Sequence, residues 1–389
     1  MERDGTTAFL PEAGRDVILA VNPGGGSTKL GLFAYTSSVE LLWTETIRHA
    51  HNDVSRYPTV LDQFEWRKDL TLDACDRRGL PWDRLAAAAG RGGPLKPLPG
   101  GVYTVDQAML DDIYRGNVQA EHPSTLGALI AVDLARRVNV PAFIVDPPCV
   151  DELLPEARIS GHPEIRRRSL THALNIRDMC KRFAAARGCR YESLRLVVCH
   201  LGSGISVTAH RAGQMIDVTD SSGEGPFGPQ RCGGLPSRGL ARLCFAPDAT
   251  LEKIDQHLIR GGGLVAYTGT DDFQVLLDRA YGGDEHAMLL YQAMVLQIKK
   301  EIGAYAAVLD GRVDAVLIGG ALLHAPQLAA DLSAGLSWIA EVVLYPGDDE
   351  LGALARGVAR VLTGDERVRD YGTSAVTLPG CGGRAESGA

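Results

Sequence analysis

No apolar stretch in the 389-residue sequence approaches the ~20 residues that cross a bilayer as a helix, so a membrane-spanning chain is not expected. The opening residues carry acidic side chains and no apolar core of the kind a secretory signal needs, which argues against export. The eight cysteines (Cys75, Cys149, Cys180, Cys189, Cys199, Cys232, Cys244 and Cys381) show no C-x-x-C spacing. Zinc ribbons and thioredoxin-like redox sites are therefore disfavoured, and reduced thiols of a cytoplasmic protein are expected. An excess of positive charge is also missing: the formal charge of −8 offers no basic field to a phosphate backbone, which speaks against a nucleic-acid partner. Two phosphate-binding signatures are absent as well. No segment reads G-x-x-x-x-G-K-[ST], and no G-x-G-x-x-G opens a helix, so P-loop and Rossmann enzymes are disfavoured.

What is present is the composition of a globular protein, 45% hydrophobic and 23% charged, in a chain long enough for two domains. Val17 to Val21 reads as a buried strand, followed by a turn through Gly24, Gly25 and Gly26, a second strand over Leu30 to Tyr35, and a third over Val39 to Ile47. The same grammar returns later. Leu194 to Cys199 reads as a strand, Gly202-Ser-Gly204 as its turn, and Ile205 to Ala209 and Gln214 to Val218 as the next two strands. A repeat at nearly half the chain length suggests two similar α/β domains facing each other across a cleft. Between the meanders, Leu126 to Val138 has a helical pattern with Ser124 as its cap, and Ala142 to Asp146 reads as a strand. The second half adds a long helix over His286 to Leu309, a strand over Asp314 to Ile318 ending in Gly319-Gly320, and a helix over Asp349 to Leu362. Three glycine turns after strands could bring backbone N–H groups to phosphate oxygens, although each alone is commonly just a turn.

The order of motifs resembles butyrate kinases. It runs from Asn22-Pro-Gly-Gly-Gly-Ser-Thr-Lys29 through Gly90-Arg-Gly-Gly93, Phe143-Ile-Val-Asp-Pro147, Ala157-Arg-Ile-Ser-Gly-His-Pro163 and His172-Ala-Leu-Asn175. It continues with His200-Leu-Gly-Ser-Gly-Ile-Ser206, Gly223-Glu-Gly-Pro-Phe-Gly-Pro-Gln-Arg231, Gly262-Gly-Leu-Val-Ala-Tyr267, Leu317-Ile-Gly-Gly320 and Tyr345-Pro-Gly-Asp-Asp-Glu-Leu351. The resemblance implies an α/β fold of two actin-like (ribonuclease H-like) domains with a cleft between them. The expected division is an N-terminal domain over residues 15–193, a C-terminal domain over 194–350, a helix over 351–364 that could return to the first domain, and a flexible tail over 365–389.

The same resemblance implies a carboxylate kinase that uses ATP and Mg2+ to make an acyl phosphate from butyrate or a related small acid, as a homodimer or higher homo-oligomer. It implies Arg91, His172 and Arg231 as catalytic residues. A carboxylate is already nucleophilic at neutral pH, so the chemistry calls mainly for cancelling charge between two anions, and arginine forks suit that demand. Glycines beside each arginine, Gly90, Gly92 and Gly93 around Arg91 and Gly233 and Gly234 after Arg231, should leave room for ligand. For ATP and its phosphates it implies Asn22, Ser27, Lys29, His200, Gly202, Gly204, Asp272, Gly319 and Gly320. Magnesium, which prefers oxygen ligands and keeps several waters, is expected at Asp146 and Glu350, with Asp349 the alternative one residue earlier. Gly93 and Thr171 are expected to line the acyl pocket. Two departures bear on activity: Gly25 and Gly26 stand where relatives usually carry hydroxyl residues, and Thr171 where they carry phenylalanine. A kinase for a larger or hydroxylated acid and a non-catalytic ATP-binding regulator remain alternatives.

Overall fold

A run with no polar alternation must lie inside a sheet covered on both faces, and Val17 to Val21 is buried at every position. In the structure, a computed structural model describing residues 14–36 and 38–374, this run is β1 (Val17–Pro23). It turns through the glycines into β2 (Ser27–Tyr35) and then β3 (Val39–Arg48), an antiparallel meander. β4 (Leu85–Gly90) lies parallel to β1, and β5 (Val102–Thr104) and β6 (Ala142–Val145) complete a six-stranded sheet in the order β3-β2-β1-β4-β6-β5. A small hairpin, β7 (Ile159–His162) and β8 (Ile165–Arg166), follows. The second sheet contains β9 (Leu196–Leu201), β10 (Ile205–Arg211), β11 (Gln214–Val218), β12 (Ala315–Gly320) and β13 (Glu341–Pro346), in the order β11-β10-β9-β12-β13. Strand for strand this repeats the first five positions of the other sheet, a three-strand meander followed by two parallel strands. The duplication suggested by the glycine turns is present in the topology.

Helices cover both faces of each sheet. Leu126–Arg136, apolar on nearly every side, buries Leu129, Ile130 and Leu134 against β1 and β4 residues such as Leu19 and Ala88. The helix Glu350–Leu362 covers the opposite face of the same sheet, where Leu354 and Val358 meet Ile18, Ala20 and Val145. On the second sheet, Ala173–Ala186 lays Ile176, Met179 and Phe183 over Leu196, Val198 and Leu317. The helices Phe273–Tyr281, Glu285–Val308 and Pro326–Leu336 fill its other side. The helix Glu350–Leu362 therefore follows β13 of the second sheet and crosses to the first. Arg356 secures the crossing by a two-pronged pair with Asp178, at 2.9 and 2.6 Å.

Two local expectations change. Ser124 does not cap the helix that follows it: Pro123 begins a short 3-10 turn, and the His122 ring accepts the Ser124 N–H at 3.1 Å. The segment from residue 365 is docked as far as Ser374, since Arg369 N–H donates to Val102 O at 2.8 Å and Tyr371, 2% exposed, donates its hydroxyl to Asp112. Aromatic burial outweighs the polar composition there. The remainder of the expected tail, residues 375–389, lies outside the described residues.

Candidate active site

In parallel sheets the chain leaves each strand at the same edge, and in open α/β folds that edge is where ligands bind. Asn22 is the penultimate residue of β1 and His200 of β9, Arg91 follows β4, and Gly319 and Gly320 end β12. The first helical turn after β13 adds Glu350. Folding brings several of these together. Glu350 receives the Arg91 guanidinium on one oxygen at 2.8 Å and the Asn22 amide on the other at 2.5 Å. Burial pushes the Glu350 carboxyl up, but Arg91, Asn22, His200 and Lys29 outweigh it, leaving the group below the usual carboxylate range and ionised. A cavity of about 240 Å³ opens beside this pair, lined by Asn22, Gly24, Ser27, Lys29, Arg91, His122, Ser124 and Glu350. An adjoining one of about 390 Å³ is lined by Lys29, Asp348, Asp349 and Glu350 among others.

The other wall carries two histidines. The rings of His172 and His200 lie 4.4 Å apart, and His172 Nδ1 is 2.9 Å from Ser206 Oγ. Burial, then the neighbouring His200, Arg231 and Arg91, hold His172 well below its ordinary value, so it is neutral at pH 7. Burial lowers His200 too, against the pull of Asp348, whose carboxylate is 3.5 Å from Nε2. Arg231 reaches the same space from the loop after β11 and donates to Ser221. Its room comes from Gly204: a Cβ there would stand 2.5 Å from the guanidinium. Gly233, one of the glycines expected to make that room, packs instead on the Gly225 carbonyl, and Gly93 on Thr125.

Three predicted residues are placed otherwise. Asp146 is buried with a φ of +38°, and its carboxylate is held by Arg177 Nε at 2.7 Å, by the Gly101 N–H at 2.7 Å and more loosely by Lys181 at 3.7 Å. It is not brought to Glu350, because the buried Arg177 from the facing helix claims it. Asp349 accepts the Gly352 N–H and pairs with Arg356 at 2.8 Å, a capping duty. Asp272 is exposed and caps Phe273–Tyr281 through the Gln274 N–H. Thr171, by contrast, is 5% exposed, and its hydroxyl has no partner among the described residues.

The profile of the acetokinase family matches residues 163–331. Butyrate kinase 1 of Clostridium acetobutylicum is 42% identical over 355 residues, covering 91% of this chain and 99% of that one, and a probable butyrate kinase of Clostridium botulinum matches to the same extent. The chain belongs to the butyrate kinases. Among solved structures, acetate kinase from Porphyromonas gingivalis shares the fold, with a TM-score of 0.71 at 15% identity, covering 90% of this chain and 100% of that one. The two-domain actin-like fold is thereby established. No helix among the described residues is long and apolar enough to cross a membrane.

In this butyrate kinase-family chain the sequence reading missed His122, Ser206, Ser221 and Asp348. His122 lines the cavity with Arg91, and burial together with Arg91 and Arg231 lowers its affinity for a proton. A lone histidine in Glu121-His-Pro-Ser124 carries no spacing signal, and only folding sets it by the arginines. Among the described residues no cluster of three His, Cys, Asp or Glu could hold a metal ion alone. A magnesium ion carried by nucleotide phosphates needs only one or two carboxylates, and the ionised Glu350 with the one-third-exposed Asp348 on the same cavity meets that need.

Proposed function

We propose that this protein transfers the γ-phosphoryl group of ATP to the carboxylate of a short-chain acid, butyrate first, giving an acyl phosphate and ADP. The observation that carries the reading is the convergence of Arg91 and Arg231 from opposite halves of the molecule on one cleft, with two neutral histidines between them. A carboxylate oxygen of the acid attacks phosphorus in line. The bond to the β,γ-bridging oxygen breaks, and its electron pair leaves with ADP. Arg91 and Arg231 offset the repulsion between acid and phosphoryl group and meet the charge that spreads over the equatorial oxygens. His172, held against Ser206, offers a neutral imidazole whose proton affinity rises when an anion approaches. In this reading Gly202 and Gly204, with Asn22, Ser27, Lys29 and His200, surround the phosphates, and Gly319 and Gly320 follow toward the nucleoside. Magnesium at Glu350 and Asp348 would neutralise phosphate charge; its assignment rests on their shared cavity.

A larger or hydroxylated acid is the second reading, favoured by the buried, unpartnered Thr171 hydroxyl. An unmet hydroxyl in an acyl pocket penalises purely apolar groups and rewards a polar one. Exposed Phe245, Leu251 and Trp338 support assembly into a homodimer or larger oligomer, and the free thiols support a reducing cytoplasm. The deciding experiment is trapping of acyl phosphate with hydroxylamine across acetate, butyrate, longer acids and hydroxy acids. ATP binding with no hydroxamate from any acid would leave a nucleotide-binding regulator instead.

A further inference from the structure

Beneath the first glycine turn lies a cation that the proposed mechanism does not use. Arg67, on the helix Phe64–Arg77, is 0% exposed. Among the described residues no carboxylate pairs with it. Its Nη1 donates to Gly24 O at 2.8 Å and its Nη2 to Gly25 O at 3.2 Å, while Nε is fixed by Gln63 Oε1 at 3.0 Å. The next carbonyl, of Gly26, accepts the His49 N–H at 2.9 Å. Three consecutive carbonyls are thus turned into the protein.

A trans peptide is planar, with its C=O and N–H on opposite sides. Drawing the Gly24 and Gly25 carbonyls inward therefore directs the N–H groups of Gly25 and Gly26 outward. Both residues are exposed, and among the described residues neither N–H has an acceptor within the protein. The turn borders the cavity that holds Arg91, Lys29 and Glu350. Nothing lies within 4 Å of where a Cβ would stand on Gly25 or Gly26, so neither glycine is required by crowding. Two adjacent glycines are costly to order; inside the turn the Gly24 N–H donates to Ser27 O at 2.7 Å, and from outside it Arg67 holds the Gly24 and Gly25 carbonyls.

We infer that Arg67 is a positioning residue that locks the Gly24–Ser27 turn so that the Gly25 and Gly26 N–H groups form a cradle for ATP phosphate oxygens. The inference rests on the kinase reading above and deepens it. Burial lowers the Arg67 guanidinium to about 10, still charged at pH 7, so the cradle also has a positive charge behind it that no side-chain anion cancels. Outward N–H groups with a cation behind them form an anion nest. In this chain the clamp does from below what hydroxyl side chains at residues 25 and 26 would do from above.

The test is Arg67→Lys, which keeps the charge but cannot bridge two carbonyls. Misplacing the cradle by about 1 Å should lower kcat/KM for ATP ~10²-fold, while KM for butyrate stays within about twofold and the melting temperature stays near wild type. Wild-type kcat and KM for ATP in a stably folded Arg67→Lys would overturn the inference. If that variant does not fold, [15N]glycine-labelled wild-type protein decides: the Gly25 and Gly26 amide resonances, assigned by single alanine variants, should shift on adding ATP, and unmoved resonances would overturn it. Shifted resonances with no acyl phosphate from the wild type would sink the kinase reading and leave the cradle standing.

Discussion

Glu350→Gln and Asp349→Asn, two isosteric changes one residue apart, should separate chemistry from scaffolding. Glu350 is ionised, largely buried, and shares its two oxygens between Arg91 and Asn22. The amide keeps the shape and one acceptor but removes the charge, leaving the Arg91 guanidinium, 6% exposed, without its counter-ion. Breaking a buried pair by removing one partner costs ~3–5 kcal/mol in general, and the retained amide acceptor should bring the stability loss below that range. In activity, losing a preorganised charge contact of this kind costs ~10²–10³ in kcat, and the magnesium concentration for half-maximal rate should rise. Asp349 instead caps its helix and pairs with Arg356 at 2.8 Å, with its own side chain more than half exposed. Its replacement should cost about 1 kcal/mol of stability, visible as a lower melting temperature, with kcat and magnesium demand close to wild type. Magnesium titrations of initial rate, beside thermal melts of both variants, give the readout. A larger rise in magnesium demand for Asp349→Asn than for Glu350→Gln would refute the reasoning and move the assignment back by one residue.

Arg91→Ala and Arg231→Ala should each lose ~10²–10³ in kcat at saturating substrates without losing the fold; near wild-type turnover in both would dismiss the two arginines. Thr171→Phe should move kcat/KM toward butyrate and away from longer or hydroxylated acids, by ~10–200-fold per methylene excluded; parallel losses for all acids would mean that Thr171 only supports His172. Stability should fall as pH drops from about 6.5 toward 4, because the unfolded chain takes up a proton on His49 at its ordinary value near 6.5. The folded ring, buried and beside Arg67, resists until about 4. Melting temperatures across that window should decline more steeply for wild type than for His49→Gln, and equal slopes would remove His49 from the account.

The sequence alone determined the family and the strands of the two meanders, with β6 and β12, whereas β4, β5, β7, β8 and β13 carried no strand expectation and emerged only with the fold. β1 is legible because five consecutive apolar residues bounded by a glycine turn have no other stable home, and the repeat of that grammar from Leu194 predicts the meander of the second sheet. Arg91, Arg231, His172, His200, Asn22 and Glu350 are legible because the motifs containing them occur in an order shared with known kinases. Tertiary structure decided what each charge meets, since partners lie far apart in the chain. Asp146 reads as a metal ligand at a strand end until Arg177, 31 positions later, is seen against it at 2.7 Å. Asp349 and Glu350 are neighbours in sequence, yet a helix's first turn points one at its own N–H groups and the other at Arg91. Arg67 lies 42 residues from Gly25 in a helix whose pattern suggests only packing, and no local signal reveals that its guanidinium ends under the turn. Strand and helix formation follow from neighbours along the chain, but ion pairing depends on distance in space, and folding alone sets that.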